Sequence, residues 1–446
     1  MNLPVDAENL ICLLNKNGYK AYAVGGCVRD YLMNRAAGDV DITTSAKPEE
    51  VEKILSENNI KFVETGLKHG TVTAVIHHVP YEITTFRTDG EYKDSRRPES
   101  VMFVENIEDD LSRRDFTINA IAYNKYDGFV DAFGGMDDIK SKVIRCVGDA
   151  DKRFKEDALR IMRAIRFSSV LGFEMEEKTK KAIFDNVQLL DNIAAERIYT
   201  ELIKLLMGDH AEKVLLEFKE VIAQIIPEFK PCFACEQHSK WHLYDVYTHI
   251  VKSVALSPKK DYIRLAVLFH DIGKPQCKKT DEKSVDHFKG HPIVSADITR
   301  TVLKRLKVSK EIFNKVVTLV EIHDLHITQK PSNIKKWLRK LGEEFIFDFI
   351  DLKIADMASH NLNEAGYELN ELKQIRKLTQ KVIDSGEPYR ICDLDINGHD
   401  LVELGYKGKD ISTELENLIK IVSGNPKCNT KEKLIHHAVV DKKLYN

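Results

Sequence analysis

The sequence predicts an α+β protein, with a small mixed sheet and its helices first and a long all-helical body after it. Three observations carry this. Up to about residue 145, short apolar and β-branched runs alternate with helical stretches. From Asp149 onward, apolar residues recur at three- and four-residue spacing. Neither part contains an internal repeat or a low-complexity tract.

In order along the chain, "KAYAVGG" (20–26) reads as a strand entering a turn, "CVRDYLMN" as a short helix and "DVDITT" as a second strand. "KPEEVEKILSEN" is a helix with Pro48 in its first turn, where a missing N–H costs nothing. "KFVETG", "GTVTAVIH" and "YEITTF" are strand-like. "KEDALRIMRAIRFSSVL", "ERIYTELIKLLM" and "AEKVLLEFKEVIAQII" each read as one continuous helix. "YIRLAVLFHDIG", "SADITRTVLKRL" and "ELENLIKIV" extend the helical body. Joints near 145, 235 and 365 divide the chain into 1–145, 146–235, 236–365 and 366–446.

The 446 residues are 43% hydrophobic and 31% charged, which suits a globular protein and argues against disorder. No basic segment precedes a long apolar run, so neither a signal peptide nor a membrane span is expected, and the cytoplasm is the default. Eight scattered cysteines fit a reducing compartment better than a disulfide framework. With a net charge of −3, any nucleic-acid binding must rest on local basic patches. A P-loop signature is absent, which disfavours that class of ATPase.

The stretch "GGCVRDYLMNRAAGDVDITT" (25–44) holds the first concentration of chemistry. On a strand, Asp39 and Asp41 project from one face, and paired carboxylates repel unless a cation sits between them. One or two carboxylates, with phosphates and water completing the shell, suit Mg²⁺. Gly25 and Gly26 allow close backbone approach at a helix start, where an anion is favoured, and Arg29 adds a charged fork for phosphate. A triphosphate held beside a metal-binding carboxylate pair points to nucleotidyl transfer. In "RRDFTIN", Asp115 can accept from ribose hydroxyls, Arg113 and Arg114 can face phosphates, and Asn119 can bond sugar or base.

"EDALR" places Asp157 and Arg160 three apart, as neighbours on one helical face. A carboxylate beside a guanidinium matches the pairing edges of cytosine and adenine and opposes those of uracil and guanine. Further on, His249, His270, Asp271 and Asp356 form a feasible divalent or transition-metal set, with Lys274 as a phosphate contact and His291 and His323 as further ligands or acid/base groups. Cys232, Cys235, His238 and His242 have zinc-like spacing, but they read chiefly as solvent-facing loop residues. Basic residues gather at 330–340 and at Lys152, Arg153, Lys155, Arg163 and Arg166, where they could track RNA phosphates or simply form solvated helical faces.

"GGCVRD" with "GDVDITT", then "RRDFTINAIAYN" (113–124), "EDALRIMRAIRFSSVLGF" (156–173) and "ERIYTELIKLL" (196–206), resemble the class II tRNA nucleotidyltransferase and bacterial poly(A) polymerase family. "LFHDIGK" resembles the HD phosphohydrolase signature, and 393–422 resembles the family's C-terminal tail. The resemblance implies a nucleotidyltransferase head, a helical neck, an HD body and a tRNA-binding tail. It implies addition of C, C and A to the tRNA 3′ end from CTP and ATP with Mg²⁺, and a second divalent metal in the HD site. It casts Asp39 and Asp41 as catalytic metal ligands. Gly25, Gly26, Arg29, Arg114, Asp115, Asn119, Asp157, Arg160, Arg163 and Arg166 become nucleotide contacts, with Glu156 fixing Arg160. The polar stretch 85–103, with Arg87, Asp89, Asp94, Arg96 and Pro98, resembles a loop found in enzymes that add the terminal A and absent from those that add only CC. An A-adding enzyme, a poly(A) polymerase and, from another class, a metal-dependent HD phosphohydrolase remain alternatives. Oligomeric state is left open.

Overall fold

The computed structural model describes residues 1–36, 38–66, 70–90 and 101–445. The chain divides into two compact units, Met1–Pro227 and Glu228–Asn446.

The first unit opens with helix α1 (Val5–Lys16), an element the sequence reading did not single out; Ala7, Leu10, Ile11 and Leu14 are its buried stripe. Strand β1 (Ala21–Val24) is buried along its whole length. Gly25 ends it at φ 78°, a backbone state that glycine adopts without strain, and so starts α2 (Gly26–Leu32). Then come β2 (Asp41–Thr44), α3 (Pro48–Glu57) and strands β3 (Lys61–Gly66), β4 (Thr71–Ile76) and β5 (Val79–Thr85). A short hairpin pairs β6 (Arg87–Asp89) with β7 (Val101–Phe103). Helix α4 (Ile107–Ser112), strands β8 (Ala122–Asn124) and β9 (Gly128–Val130) and helix α5 (Gly135–Ser141) complete this part.

Seven strands form one sheet in the order β3-β4-β5-β2-β1-β8-β9. The β2–β5 pair is parallel and the rest antiparallel, so the sheet is mixed as expected. Tyr22, Val24, Phe86, Ile107, Leu111, Ala120, Ala122 and Val147 pack as one apolar cluster against it. Burying aliphatic and aromatic side chains of this size is worth about 1.5–3 kcal/mol each.

Strand β10 (Val143–Ile144) pairs in parallel with β11 (Glu174–Met175), and between them run α6 (Ala150–Glu156) and α7 (Leu159–Leu171). The single helix expected over "KEDALRIMRAIRFSSVL" is therefore two. It breaks at Asp157, whose backbone is extended (φ −138°, ψ 102°) and whose Oδ1 accepts from Leu159 N–H. Asp competes with the helix by capping the next turn. Helices α8 (Glu177–Asp185) and α9 (Ala195–Leu206) follow, α9 turning Ile198, Leu202, Leu205 and Leu206 inward. The helix expected over "AEKVLLEFKEVIAQII" also splits, into α10 (Ala211–Glu217) and α11 (Lys219–Ile225). The break is at Phe218, which is buried and stacked on Phe184 at 5.7 Å. Burying that ring outweighs the local helical preference.

The second unit is helical apart from a two-residue hairpin, Lys279–Thr280 against Asp286–His287. Its helices Val246–Leu256, Asp261–Phe269, His291–Arg305, Lys310–Ile322 and Glu343–Ala358 carry, or end next to, most of the histidines and acids considered below. Near its end, Leu394, Ile396, Leu401, Leu418, Ile419, Val422, Leu434 and Ala438 form a separate small core. Among the described residues, no helix is long and apolar enough to cross a membrane.

Candidate functional site

In the first unit, the β1–α2 turn, the start of β2 and the segment after α4 converge. Asp41 opens β2, whereas Asp39 sits in the bend just before it and not on the strand. Both side chains are exposed. The Asp41 carboxyl is pushed above the ordinary carboxylate range, first by the protein bulk crowding it, then by Glu82 and Asp39, against the pull of Arg114. Glu82 is a carboxylate the sequence reading passed over. It lies on β5, whose parallel pairing sets Ile42 beside Ile83 and so puts Glu82 next to Asp41. The alternation in "YEITTF" marked it as outward-facing, but only the strand order reveals its neighbour.

Around Gly25 the donors gather. A Cβ on Gly25 would come 3.4 Å from Arg114 Nη1, and one on Gly26 would come 3.7 Å from Arg29 Nη2. Arg29 Nη1 donates to Asn119 Oδ1 (2.7 Å), and Asn119 Nδ2 donates to Asp115 Oδ1 (3.1 Å). Arg163, from α7, closes on Asp115 Oδ2 at 2.6 Å. Burial alone would raise the Asp115 pKa. Arg163, Asn119 and Arg160 outweigh it and bring it down to about 2. Arg114 and Arg113 both grip the fully buried Asp110, at 3.1 and 2.6 Å.

Arg160 is bound by Glu156 (2.8 Å) and by the carbonyls of Arg113 (2.9 Å) and Arg153 (3.2 Å). Asp157, at the break between helices, does not share a helical face with Arg160 as the spacing suggested. Its Oδ2 pairs with Arg197 of α9 at 3.0 Å. Arg197 carries no motif signal of its own; "ERIYTELIKLL" marks the helix, not this contact. Arg166 pairs with Glu201 (2.9 Å) and lies over the Phe167 ring at 3.9 Å. Burial first, then Arg163 and Arg29, lower its pKa to about 10. Of the neighbouring basic residues, Lys155 pairs with Asp151 and Arg153 with Glu156. Of the 85–103 stretch, Asp94, Arg96 and Pro98 lie outside the described residues, as does the side chain of Asp89.

The second unit gathers a different set. One ligand atom each from His249, His270, Asp271 and Asp356 lies within 4.8 Å of the others, and Asp271, His291 and His323 form a second such group. Asp271 serves both: Oδ2 is 3.2 Å from His249 and 3.3 Å from His270, while Oδ1 is 3.1 Å from His291 and 3.7 Å from His323. The tautomers are prepared. Nδ1 of His270, His291 and His323 each faces a backbone carbonyl (Val267, Phe288, Val320) at 2.7–2.9 Å, an acceptor that favours the proton on Nδ1 and directs Nε2 inward. His270 Nε2 is buried without a hydrogen-bond partner among the described residues. This donor set fits a divalent or transition metal. Lys274 reaches Asp271 Oδ2 at 2.7 Å and Gln237 at 2.9 Å.

The Cys232, Cys235, His238 and His242 spacing does not converge. Cys232 is buried and turned to the Ile272 carbonyl, and His238 pairs with Asp286 at 2.9 Å. His242 does not face solvent either, since its ring lies tilted 4.5 Å from that of His360 and edge-on 5.4 Å from that of His249. In the basic 330–340 stretch, Lys335 is buried against Glu387 (2.8 Å), and Arg339 is tied to Ser423 and the Tyr389 carbonyl.

Three family models match in order. The "Poly A polymerase head domain" covers 21–145, the "Probable RNA and SrmB- binding site of polymerase A" covers 172–233, and the "HD domain" covers 242–378. A solved structure of the Bacillus stearothermophilus CCA-adding enzyme in complex with CTP is similar over 100% of this chain and 99% of its own, with TM-score 0.71 and 29% identity. In order along the chain it is therefore similar to a poly(A) polymerase head, the RNA-binding region of such polymerases and an HD domain. Among curated proteins, it is 54% identical over 209 residues to the CCA-adding enzyme of Geobacillus thermodenitrificans, spanning 47% of this chain and 51% of that one. It is 48% identical over 226 residues to that of Lactobacillus helveticus, 50% of this chain and 56% of that one. The chain thus spans about half the length of the curated relatives it matches. The mixed sheet falls within the match to the head domain, and the other two matches fall within the helical regions that follow it.

Proposed function

We propose that this chain is a CCA-adding tRNA nucleotidyltransferase, using CTP and ATP to extend the tRNA 3′ end. The observation that carries the reading is the meeting of two groups on the sheet's central strands β5, β2 and β1. The carboxylates Asp39, Asp41 and Glu82 stand beside a cationic cradle of Gly25, Gly26, Arg29 and Arg114. Similarity over essentially its full length to an enzyme solved with CTP supports the same reading.

In the proposed reaction, the tRNA 3′ oxygen bonds to the α-phosphorus as the bond from that phosphorus to the bridging oxygen breaks. The 3′ proton is released and pyrophosphate leaves. Asp39 and Asp41 would hold Mg²⁺, which supplies charge stabilisation to both oxygens when bound. Arg29 and Arg114 would bind the triphosphate, Asp115 and Asn119 the ribose, and Asp157 with Arg160 the base edge. Arg163 would order Asp115, and Arg166 would add positive charge nearby. We assign the head to 1–145, the neck to 146–235, the HD domain to 236–365 and a tRNA-binding tail to 366–446. Eight free thiols suit a reducing compartment, and we place the chain in the cytoplasm.

The test uses purified chain and transcripts ending before CCA, in CC or in CCA, with each labelled NTP in turn. CMP and AMP incorporation restoring one CCA end supports the proposal. AMP addition to the CC transcript alone would indicate an A-adding enzyme, and unlimited AMP addition a poly(A) polymerase.

The second unit favours an additional reading, a metal-dependent phosphoester hydrolase. Three inward-turned imidazoles around Asp271 support it, with His249, His270, Asp271 and Asp356 as the proposed metal ligands and Lys274 as the phosphate contact.

A further inference from the structure

We propose that Phe167 is a positioning residue that fixes the spacing of the arginines at the nucleotide site, and so sets affinity for the incoming NTP. The proposal rests on the reading of Arg29 and Arg163 as parts of that site. Its ground is a packing relationship that no motif announces. The Phe167 ring is 3.9 Å from the Arg166 guanidinium carbon, 5.2 Å from that of Arg29 and 5.4 Å from that of Arg163. Two of these cations share helix α7 with Phe167, and the third comes from α2.

Three guanidinium groups drawn to one place repel one another. Each has its own anionic or polar partner: Asp115 for Arg163, Glu201 for Arg166, and Asp30 with Asn119 for Arg29. Those partners come from different elements and do not by themselves fix the distances between the cations. The ring does, because its electron-rich face attracts cations lying within about 6 Å of its centroid. Phe167 is only 5% exposed, and the buried Phe116 meets it edge-on at 5.8 Å and 81°. It is therefore a fixed plate. With the plate removed, Arg29 keeps Asp30 and Asn119 as partners but loses its direct contact with a side chain of α7, and a triphosphate must then organise the cations at its own cost.

The test replaces Phe167 in the full chain with 4-fluoro-, 3,5-difluoro- and 3,4,5-trifluorophenylalanine. These keep the ring's shape, so folding is retained, while withdrawing electron density from its face. CTP KM should rise stepwise, to about tenfold for the trifluoro ring, with kcat within about twofold and tRNA affinity unchanged. Phe167→Leu should raise KM at least as far, and Phe167→Tyr should restore it. A flat KM series in an active enzyme overturns the positioning role alone, as does a fall in kcat without a change in KM. A wild-type chain that neither binds nor incorporates CTP overturns the transferase reading, and this proposal with it.

Discussion

Asp115 and Arg163 form a 2.6 Å ion pair that joins the segment after α4 to helix α7. The other oxygen of Asp115 accepts from Asn119, which in turn accepts from Arg29. One buried carboxylate therefore orders the phosphate end and the helix that follows it.

That pair makes stability depend on pH with a definite sign. The Asp115 pKa falls from 3.8 to about 2 on folding, so the folded state favours the ionised carboxyl. Its contribution, about 2 kcal/mol, is complete above pH ~4 and is lost as pH drops through 2. In urea melts of the first unit, Asp115→Asn should be less stable than wild type at pH 6, with the difference shrinking toward pH 2. A constant difference across that range would show that the pair does not contribute in this way.

Asp39→Ala and Asp41→Ala should each lower NTP incorporation by at least about 10³-fold, because removing a metal-binding carboxylate takes away charge stabilisation worth several kcal/mol. tRNA affinity by gel shift should survive, since neither residue is assigned a phosphate contact. Glu82→Gln should show a smaller loss that is partly recovered at higher Mg²⁺. Substantial activity in either aspartate variant would place the metal elsewhere.

Much of this site was legible because its motifs are local. "GGCVRD" and "RRDFTIN" give turn, helix and side-chain direction within a few residues, and the alternation of "YEITTF" gives a strand. What escaped were relationships made by tertiary structure. Glu82 becomes a neighbour of Asp41 only through the parallel β2–β5 register. Arg197 reaches Asp157 across forty residues, and that contact accompanies the helix break that periodicity alone could not reveal. His242 reads as a solvent-facing loop residue, but the second unit turns its ring against that of His360. Helix α1 has a regular apolar stripe and was legible, but it carries no chemistry that would draw notice.

The two units should be separable in function. His270→Ala and Asp271→Ala should abolish divalent-metal binding by the second unit in isothermal titration, and with it any metal-dependent phosphoester hydrolysis. NTP incorporation should stay within about threefold of wild type, because every residue assigned to metal, nucleotide or base contact in that reaction lies in the first unit. Parallel loss of both activities would mean that the histidine cluster is needed for the fold of the whole chain.

Nucleotide choice supplies the sharpest test, because the helix break separates Asp157 from Arg160. If Asp157 and Arg160 formed an ordinary pair on one helical face, removing either would cost about half a kcal/mol and leave selectivity alone. Instead they lie on either side of a break. Asp157 is held by Arg197 and by Leu159 N–H, and Arg160 by Glu156 and the Arg113 carbonyl. Each is oriented from outside the pair, and in the function proposed above the two meet the base edge together. A site that pairs with the amino donor and ring acceptor of cytosine or adenine leaves its own buried groups unsatisfied against uracil or guanine, and so rejects them strongly. Arg160→Ala should therefore reduce use of CTP and ATP and raise relative UTP and GTP misincorporation by about 10-fold or more. Arg197→Ala, which frees Asp157 without deleting it, should give the same kind of error to a smaller degree. Competition assays with all four NTPs on a transcript lacking CCA would measure both effects. Unchanged selectivity in Asp157→Ala and Arg160→Ala alike would remove these residues from base recognition.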